Sequence, residues 1–170
     1  MELSKELARD ARKKGICKEW YDELHHLTNK DAMIRMYLKG IDFCLSNEYP
    51  DNDFIRKHFK GNMEKFGVFL DDAIEVSNKP KCVCLGGTSG RIEVDNFNVC
   101  EVFSKHESAL NIIAKDNAFV MVDVFDNAVL NVYAHDNAKV CANHYGGYIN
   151  TFTTSDNCVV KIIEKYKKTY

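Results

Sequence analysis

The spacing of apolar residues changes once along the chain. Up to residue 75 they recur at helical intervals, and from Val76 onward they recur every second residue. In the first stretch Leu3, Leu7, Ala8 and Ala11 share a helical stripe, with Ser4 placed to cap the helix and Gly15 to stop it. Ile16, Trp20, Leu24 and Leu27 mark a short second helix. Thr28-Asn29-Lys30-Asp31 resembles a capping box, and Met33, Met36, Tyr37, Gly40, Ile41, Cys44 and Leu45 follow on one face, which predicts a helix over 30–46. Tyr49-Pro50-Asp51-Asn52 breaks the pattern and restarts it in a short helix carrying Phe54, Ile55, His58 and Phe59. Residues 1–75 therefore read as a small helical bundle or cap.

Above the two-residue period of 76–170 lies a ten-residue one. Asp116-Asn117-Ala118, Asp126-Asn127-Ala128 and Asp136-Asn137-Ala138 recur at that spacing, Gly146-Gly147 fills the next slot, and Asp156-Asn157-Cys158 restores the motif. Counting each unit from its Asp, the fifth position holds Cys100, Leu110, Val120, Leu130, Val140 and Val160, with Asn150 as the exception. The seventh holds Ile92, Val102, Ile112, Val122, Val132, Ala142, Phe152 and Ile162. Odd positions of the unit face a core and even ones face outward.

Parity separates a meander from a solenoid. In a two-residue hairpin the residues flanking the turn form a cross-strand pair on one face, so the apolar positions of ten-residue units would switch face at every strand. In a solenoid they stay inside, and the apolar residues here keep their parity throughout. The expected fold is α+β: a helical block at 1–75 followed by a β-solenoid, a parallel β-helix, at 76–170. Residues thirty apart match in kind on the outward face (Val99-Glu101-Phe103, Val129-Asn131-Tyr133, Val159-Lys161-Ile163), which points to three strands per coil. Twenty-residue spacing sets Phe103 over Asp123 and Asn143, a poorer match. A solenoid end needs covering, and the helical block is suited to cap one end.

Composition changes this picture little. The chain has 170 residues, 45% hydrophobic and 28% charged, with formal net charge −2. Residues 1–75 carry 13 Lys/Arg against 15 Asp/Glu and residues 76–170 carry 10 against 10, so no broad field selects nucleic acid or membrane. The first residues lack the apolar region of a secretory signal, and a cytoplasmic location is expected. Seven cysteines are an odd number, best read as reduced small hydrophobes.

Candidate chemistry is sparse. Cys82-x-Cys84 falls on inward positions with no second pair to complete a zinc site, so these cysteines read as core fillers. His25-His26 is a poor chelate, His58 lies in a helical stripe, His106 and His135 sit at turns, and His144 points inward. Asp116, Asp126, Asp136 and Asp156 could imitate a carboxylate array, but they constitute the repeat and suit Asp-Asn turns. Gly86-Gly87-Thr88-Ser89-Gly90 lacks the following Lys of a phosphate loop and reads as a turn. No metal and no cofactor is expected. What stands out is an outward apolar set with aromatics, and the partner-binding candidates are Phe103, Phe119, Met121, Phe125, Tyr133 and Tyr145, with Lys165, Lys167 and Lys168 of the basic tail.

The Asp-Asn-Ala repeat, over roughly residues 90–165, resembles the repeats of small bacterial and phage-associated β-solenoid proteins. The leading block, with Gly15-Ile16-Cys17-Lys18-Glu19-Trp20 and Gly40-Ile41-Asp42-Phe43-Cys44-Leu45, is similar to proteins carried on mobile elements. The resemblance implies architecture and setting and transfers no catalytic residue. It points to a non-enzymatic protein that binds a macromolecule through protein–protein contacts, in its most concrete form a phage or mobile-element inhibitor of a bacterial immune effector. Self-association stays open, and no membrane partner is expected. The alternatives are a carbohydrate-binding or carbohydrate-cleaving solenoid using Asp123, Tyr133 and Tyr145, and nucleic-acid binding through the Lys-rich tail.

Overall fold

A computed structural model describes residues 2–170 and divides the chain into two compact units, meeting in sequence at Phe66 and Gly67. The first unit holds α1 (Glu2–Lys13), α2 (Lys18–His25), α3 (Lys30–Lys39), α4 (Ile41–Ser46) and α5 (Asn52–His58), then a single 3₁₀ turn at Glu64–Phe66. Two of its starts are capped by side chains, the first by Asn29 rather than by Thr28, which leads the capping-box pattern. Asn29 Oδ1 accepts the Ala32 N–H at 2.8 Å and Asp51 Oδ1 accepts the Phe54 N–H at 2.8 Å. Ser4 is not a cap: it lies inside α1 on the buried stripe with Leu7, Ala8 and Ala11, and its Oγ donates to the His25 carbonyl at 3.3 Å.

The helix expected over 30–46 is two helices broken at Gly40. A Cβ on Gly40 would lie 2.6 Å from the Trp20 ring, so the indole occupies the space that a side chain would need. Tyr49 closes this unit from within, donating its buried hydroxyl to the Leu7 carbonyl at 2.7 Å. Burial pushes the Tyr49 hydroxyl well above its ordinary range, so it stays protonated and donating.

The second unit is a parallel β-solenoid of about five turns. Its strands are β1 (Val68–Leu70), β2 (Ala73–Ser77), β3 (Lys81–Leu85), β4 (Ser89–Val94), β5 (Val99–Ser104), β6 (Ala109–Ala114), β7 (Phe119–Val124), β8 (Val129–Ala134), β9 (Lys139–His144), β10 (Tyr148–Thr153) and β11 (Val159–Glu164). It begins eight residues before Val76, where the alternating pattern starts. The fully buried Val68-Phe69-Leu70 strand carries no two-residue alternation by which to announce itself.

Coils have two strands, not three. Odd-numbered strands form one six-stranded sheet, here sheet A, and even-numbered strands form the five-stranded sheet B, with all pairings parallel. Residues twenty apart therefore stack, as in Val99 on Phe119 on Lys139. The outward mismatch that spoke against this spacing is resolved locally. Phe103 is buried, and Asp123 Oδ1 accepts from Asn143 Nδ2 at 2.7 Å in the layers beyond it.

The corners show why twenty is the better repeat. Asn96, His106, Asp116, Asp126 and Asp136 all adopt left-handed backbone, with φ between 53° and 63°. The side chains of His106, Asp116, Asp126 and Asp136 each accept the N–H of the equivalent residue one coil earlier, whereas Asn96 Nδ2 donates to its neighbour Asp95. Asp116 Oδ2 accepts from Asn96 N and Asp136 Oδ2 from Asp116 N, both at 3.0 Å, while Asp126 Oδ2 accepts from His106 N at 3.1 Å and His106 Nδ1 from Gly86 N at 3.0 Å. Stacked carboxylates thus aim at backbone donors rather than at one another, and left-handed Asp or Asn pays the least strain for doing so. The Asp-Asn units are turn chemistry.

The Gly146-Gly147 coil departs from the repeat by one residue. β10 pairs with β8 nineteen residues apart, Tyr148 on Val129, because the corner Tyr145-Gly146-Gly147 is one residue shorter than His135-Asp136-Asn137-Ala138. Only glycine fits: Gly147 has φ +80°, and a Cβ there would lie 2.2 Å from the Ala128 carbonyl oxygen. Ile149 and Thr151 consequently point inward and Asn150 and Phe152 outward, the reverse of the uninterrupted count. The corner 154–158 is one residue longer and restores the twenty-residue register of β9 and β11.

The solenoid core is a column of small and β-branched side chains, with Ile92, Val94, Val102, Ile112, Val120, Val122, Val124, Leu130 and Val132 essentially without exposure. Cys82, Cys84 and Cys100 fill it on β3 and β5. Burial pushes the Cys84 thiol well up, and the side-chain hydrogen bond that Cys100 gives to Cys82, followed by burial, pushes the Cys100 thiol up, so both are held as neutral, apolar groups. Among the described residues no helix is long and apolar enough to cross a membrane.

Candidate interaction surfaces

The outward residues of sheet A form in-register columns along the solenoid. One reads Val99, Phe119, Lys139, Val159, and its neighbour reads Glu101, Met121, Cys141, Lys161. Val99, Met121 and Val159 are exposed and Phe119 is half-buried. Beside this strip the corner asparagines Asn117, Asn137 and Asn157 and the side chains of Phe119 and Lys139 line an open depression of about 630 Å³. Phe97 occupies the turn slot that holds Asn117, Asn137 and Asn157 in later coils and is 82% exposed.

Sheet B presents a different surface. Asn150 Nδ2 donates to Asn131 Oδ1 and Asn131 Nδ2 to Asn111 Oδ1, each at 3.0 Å, which makes a three-rung amide ladder. It is flanked by Tyr148, 68% exposed, and by Tyr133 stacked on Phe152 with ring centroids 4.9 Å apart and planes 13° apart. Rings stacked along the coil axis turn their edges to solvent and keep their faces for each other.

The corner between β9 and β10 carries a titratable pair, His144 and Glu164. His144 Nδ1 lies 2.7 Å and 2.9 Å from the two Glu164 carboxylate oxygens, and its Nε2 lies 3.0 Å from the Gly147 carbonyl. Both ring nitrogens face acceptors, an arrangement that only the doubly protonated imidazolium satisfies. The carboxylate of Glu164 accordingly raises the His144 pKa above its ordinary value, helped by Gly147 and opposed by partial burial. On the same corner Tyr145 stacks on Phe125 at 4.7 Å, and Lys165 Nζ sits 5.9 Å from the Tyr145 ring.

The partner-binding candidates from the sequence therefore do not converge. Phe119 and Met121 lie on sheet A, Tyr133 on sheet B, and Tyr145 with Lys165 at the β9–β10 corner, while Lys167 and Lys168 are exposed on the tail. Phe103 and Phe125 are corrected: both are buried. Phe125 is held between the Tyr145 ring and the ammonium of Lys105, which is 3.0 Å from Asp126 and 5.5 Å from the Phe125 ring. Asp123 and Tyr133 face outward from opposite sheets, so they do not form one sugar site with Tyr145.

Exposed residues that the sequence pattern missed are Phe97, Tyr148 and Phe152. Phe97 is signalled by its substitution for a repeat asparagine. Tyr148 and Phe152 were recoverable by aligning Asn150 with Asn131 and Asn111, which requires deleting one residue at Gly146-Gly147. In the helical unit Trp20, Lys39 and Phe43 line a separate depression of about 360 Å³ with exposed Cys17 at its rim. The Lys39 ammonium stands 5.0 Å from the Trp20 ring. No family model, curated protein or solved structure matches the chain.

Proposed function

We propose that the chain is a non-enzymatic protein-binding module, with the solenoid as a rigid display surface. The observation that carries this is the outward face of sheet A, where Val99, Phe119 and Met121 adjoin and Val159 follows beyond Lys139, apolar side chains left exposed or half-buried on a β-face. Near-neutral net charge directs recognition toward shape and exposed side chains. The inward faces are filled and the repeated carboxylates are bound into turns, which leaves display as the use the residues serve best. Inhibition of a bacterial immune effector is the more specific form of this proposal and rests on the repeat resemblance alone.

Affinity capture from a bacterial host, read by mass spectrometry, tests it with Phe119→Asp and Tyr133→Asp beside the unaltered chain. A specific protein partner lost on Phe119→Asp, with the far-UV circular dichroism unchanged, supports the proposal. A partner retained by both folded variants overturns the assignment of these outward faces.

A further inference from the structure

Among the described residues β11 is the last strand of the solenoid, and no further strand pairs with its outer hydrogen-bonding edge. One layer earlier Val140 and Ala142 are buried, whereas Ile162, inward by register, is 41% exposed and Val160 is half-buried. Val159 N–H donates to the Ala138 carbonyl and Lys165 N–H to the His144 carbonyl, both at 3.0 Å. In a parallel ladder the odd-numbered residues of β11 then turn both backbone groups to β9, and Val160, Ile162 and Glu164 turn theirs to the free edge. No strand of the described residues pairs there.

Of the usual blocks to edge pairing, this edge carries charge alone. It carries no proline and no bulge, and its one inward charge, Glu164, is bound to His144. Its flank is cationic. Lys161 points outward from the middle of β11, and Lys165, Lys167 and Lys168 follow, while Glu164 is the single carboxylate side chain from 159 to 170. A second copy of the chain pairing edge to edge would bring these lysines against their own equivalents, which is unfavourable across strands.

We propose that β11 is a docking edge for an extended segment of a protein partner in which apolar and acidic residues alternate. The segment adds a seventh strand to sheet A, seats its apolar side chains over Val160 and Ile162, and turns its carboxylates to Lys161 and the tail lysines. This rests on the protein-binding function proposed above and names the chemistry of the partner.

The test uses the full chain and a fluorescein-labelled peptide in which valine and glutamate alternate, followed by fluorescence anisotropy at low salt. The peptide is expected to bind. Methylation of its backbone nitrogens at alternate residues weakens binding by about tenfold or more, because edge pairing needs those donors. Val160→Pro produces a comparable loss, since the Val160 N–H points to the free edge and no bond to β9 is removed. Lys161→Glu, at an exposed outward position, weakens the valine–glutamate peptide and gains affinity for a valine–lysine one.

Absence of binding by the unaltered chain overturns the proposal. So does binding indifferent to N-methylation and to Lys161→Glu, and so does a sedimentation velocity dimer that dissociates on Val160→Pro, which would assign the edge to a second copy. If the peptide fails while Phe119→Asp abolishes capture of a partner, the docking edge falls and the protein-binding function stands.

Discussion

The corner ladders predict an ordering of stabilities at one residue. Asp116 does two things: its carboxylate accepts the Asn96 N–H at 3.0 Å, and its backbone holds φ at 56°. Asp116→Ala removes the acceptor, worth about 1 kcal/mol net at this half-exposed site, and places a Cβ with no local hydrogen bond in the left-handed region at about 1 kcal/mol more. The expected loss is about 2 kcal/mol. Asp116→Gly loses the same acceptor but relieves the backbone, with an entropic penalty of a few tenths to about 1 kcal/mol in the unfolded chain, so it falls near 1 to 1.5 kcal/mol. Asp116→Asn keeps an acceptor oxygen and tolerance of positive φ, and its loss stays below about 0.5 kcal/mol. Asp156 shares the motif but not the left-handed backbone, so Asp156→Ala is expected to cost less than about 0.5 kcal/mol. Urea unfolding followed by far-UV circular dichroism measures all four. If Asp116→Gly is as costly as Asp116→Ala, or Asp156→Ala matches Asp116→Ala, the turn account of the repeat is wrong.

Gly147→Ala drives a Cβ into the Ala128 carbonyl at positive φ and is expected to lower Tm by roughly 6 °C, corresponding to about 2 kcal/mol, in a calorimetric scan. Gly146→Ala, whose Cβ would meet Asp126 backbone atoms at 3.0 Å, provides the milder comparison. The His144–Glu164 pair makes stability pH-dependent: because the folded-state His144 pKa lies above its unfolded value near 6.5, the contribution is complete below that value and is lost as pH rises through the folded one. With Glu164 about half exposed, the loss is less than about 1 kcal/mol, and His144→Gln abolishes this part of the pH dependence in urea titrations. Truncation after Glu164 removes the tail lysines. Electrophoretic mobility shifts with single-stranded and duplex DNA are expected to show no salt-sensitive binding in either form, and steep salt dependence lost on truncation would favour the nucleic-acid alternative instead.

The fold class and the inward columns were legible because they depend on parity, a local property that each strand repeats. Val120, Val122 and Val124 read as inward in the sequence and have no exposure in the structure. The start of the helix at residue 30 was legible for the same reason, since a cap involves only the next three residues, although the capping side chain is Asn29 and not Thr28 of the capping-box pattern. The exposed surface was less so. Phe103 and Phe125 have outward or corner positions but are buried, and burial of an outward residue is a property of its surroundings rather than of its own strand.

The sequence by itself determined that strand follows strand every ten residues without changing face, because a parity break would expose the valine and isoleucine columns. Only the tertiary structure decided how many strands make a coil, since chemically similar columns exist at both twenty and thirty residues. Hydrogen bonds between coils discriminate between them: Asp116 to Asn96, Asp126 to His106 and Asn131 to Asn111 close at twenty. The tertiary structure also decided the one-residue deletion at Gly147, where close approach to Ala128 left room for glycine alone and turned Phe152 from the core to the surface. Local periodicity selects which side of a strand is buried, whereas the stacking partner is chosen by contacts between residues far apart in the chain.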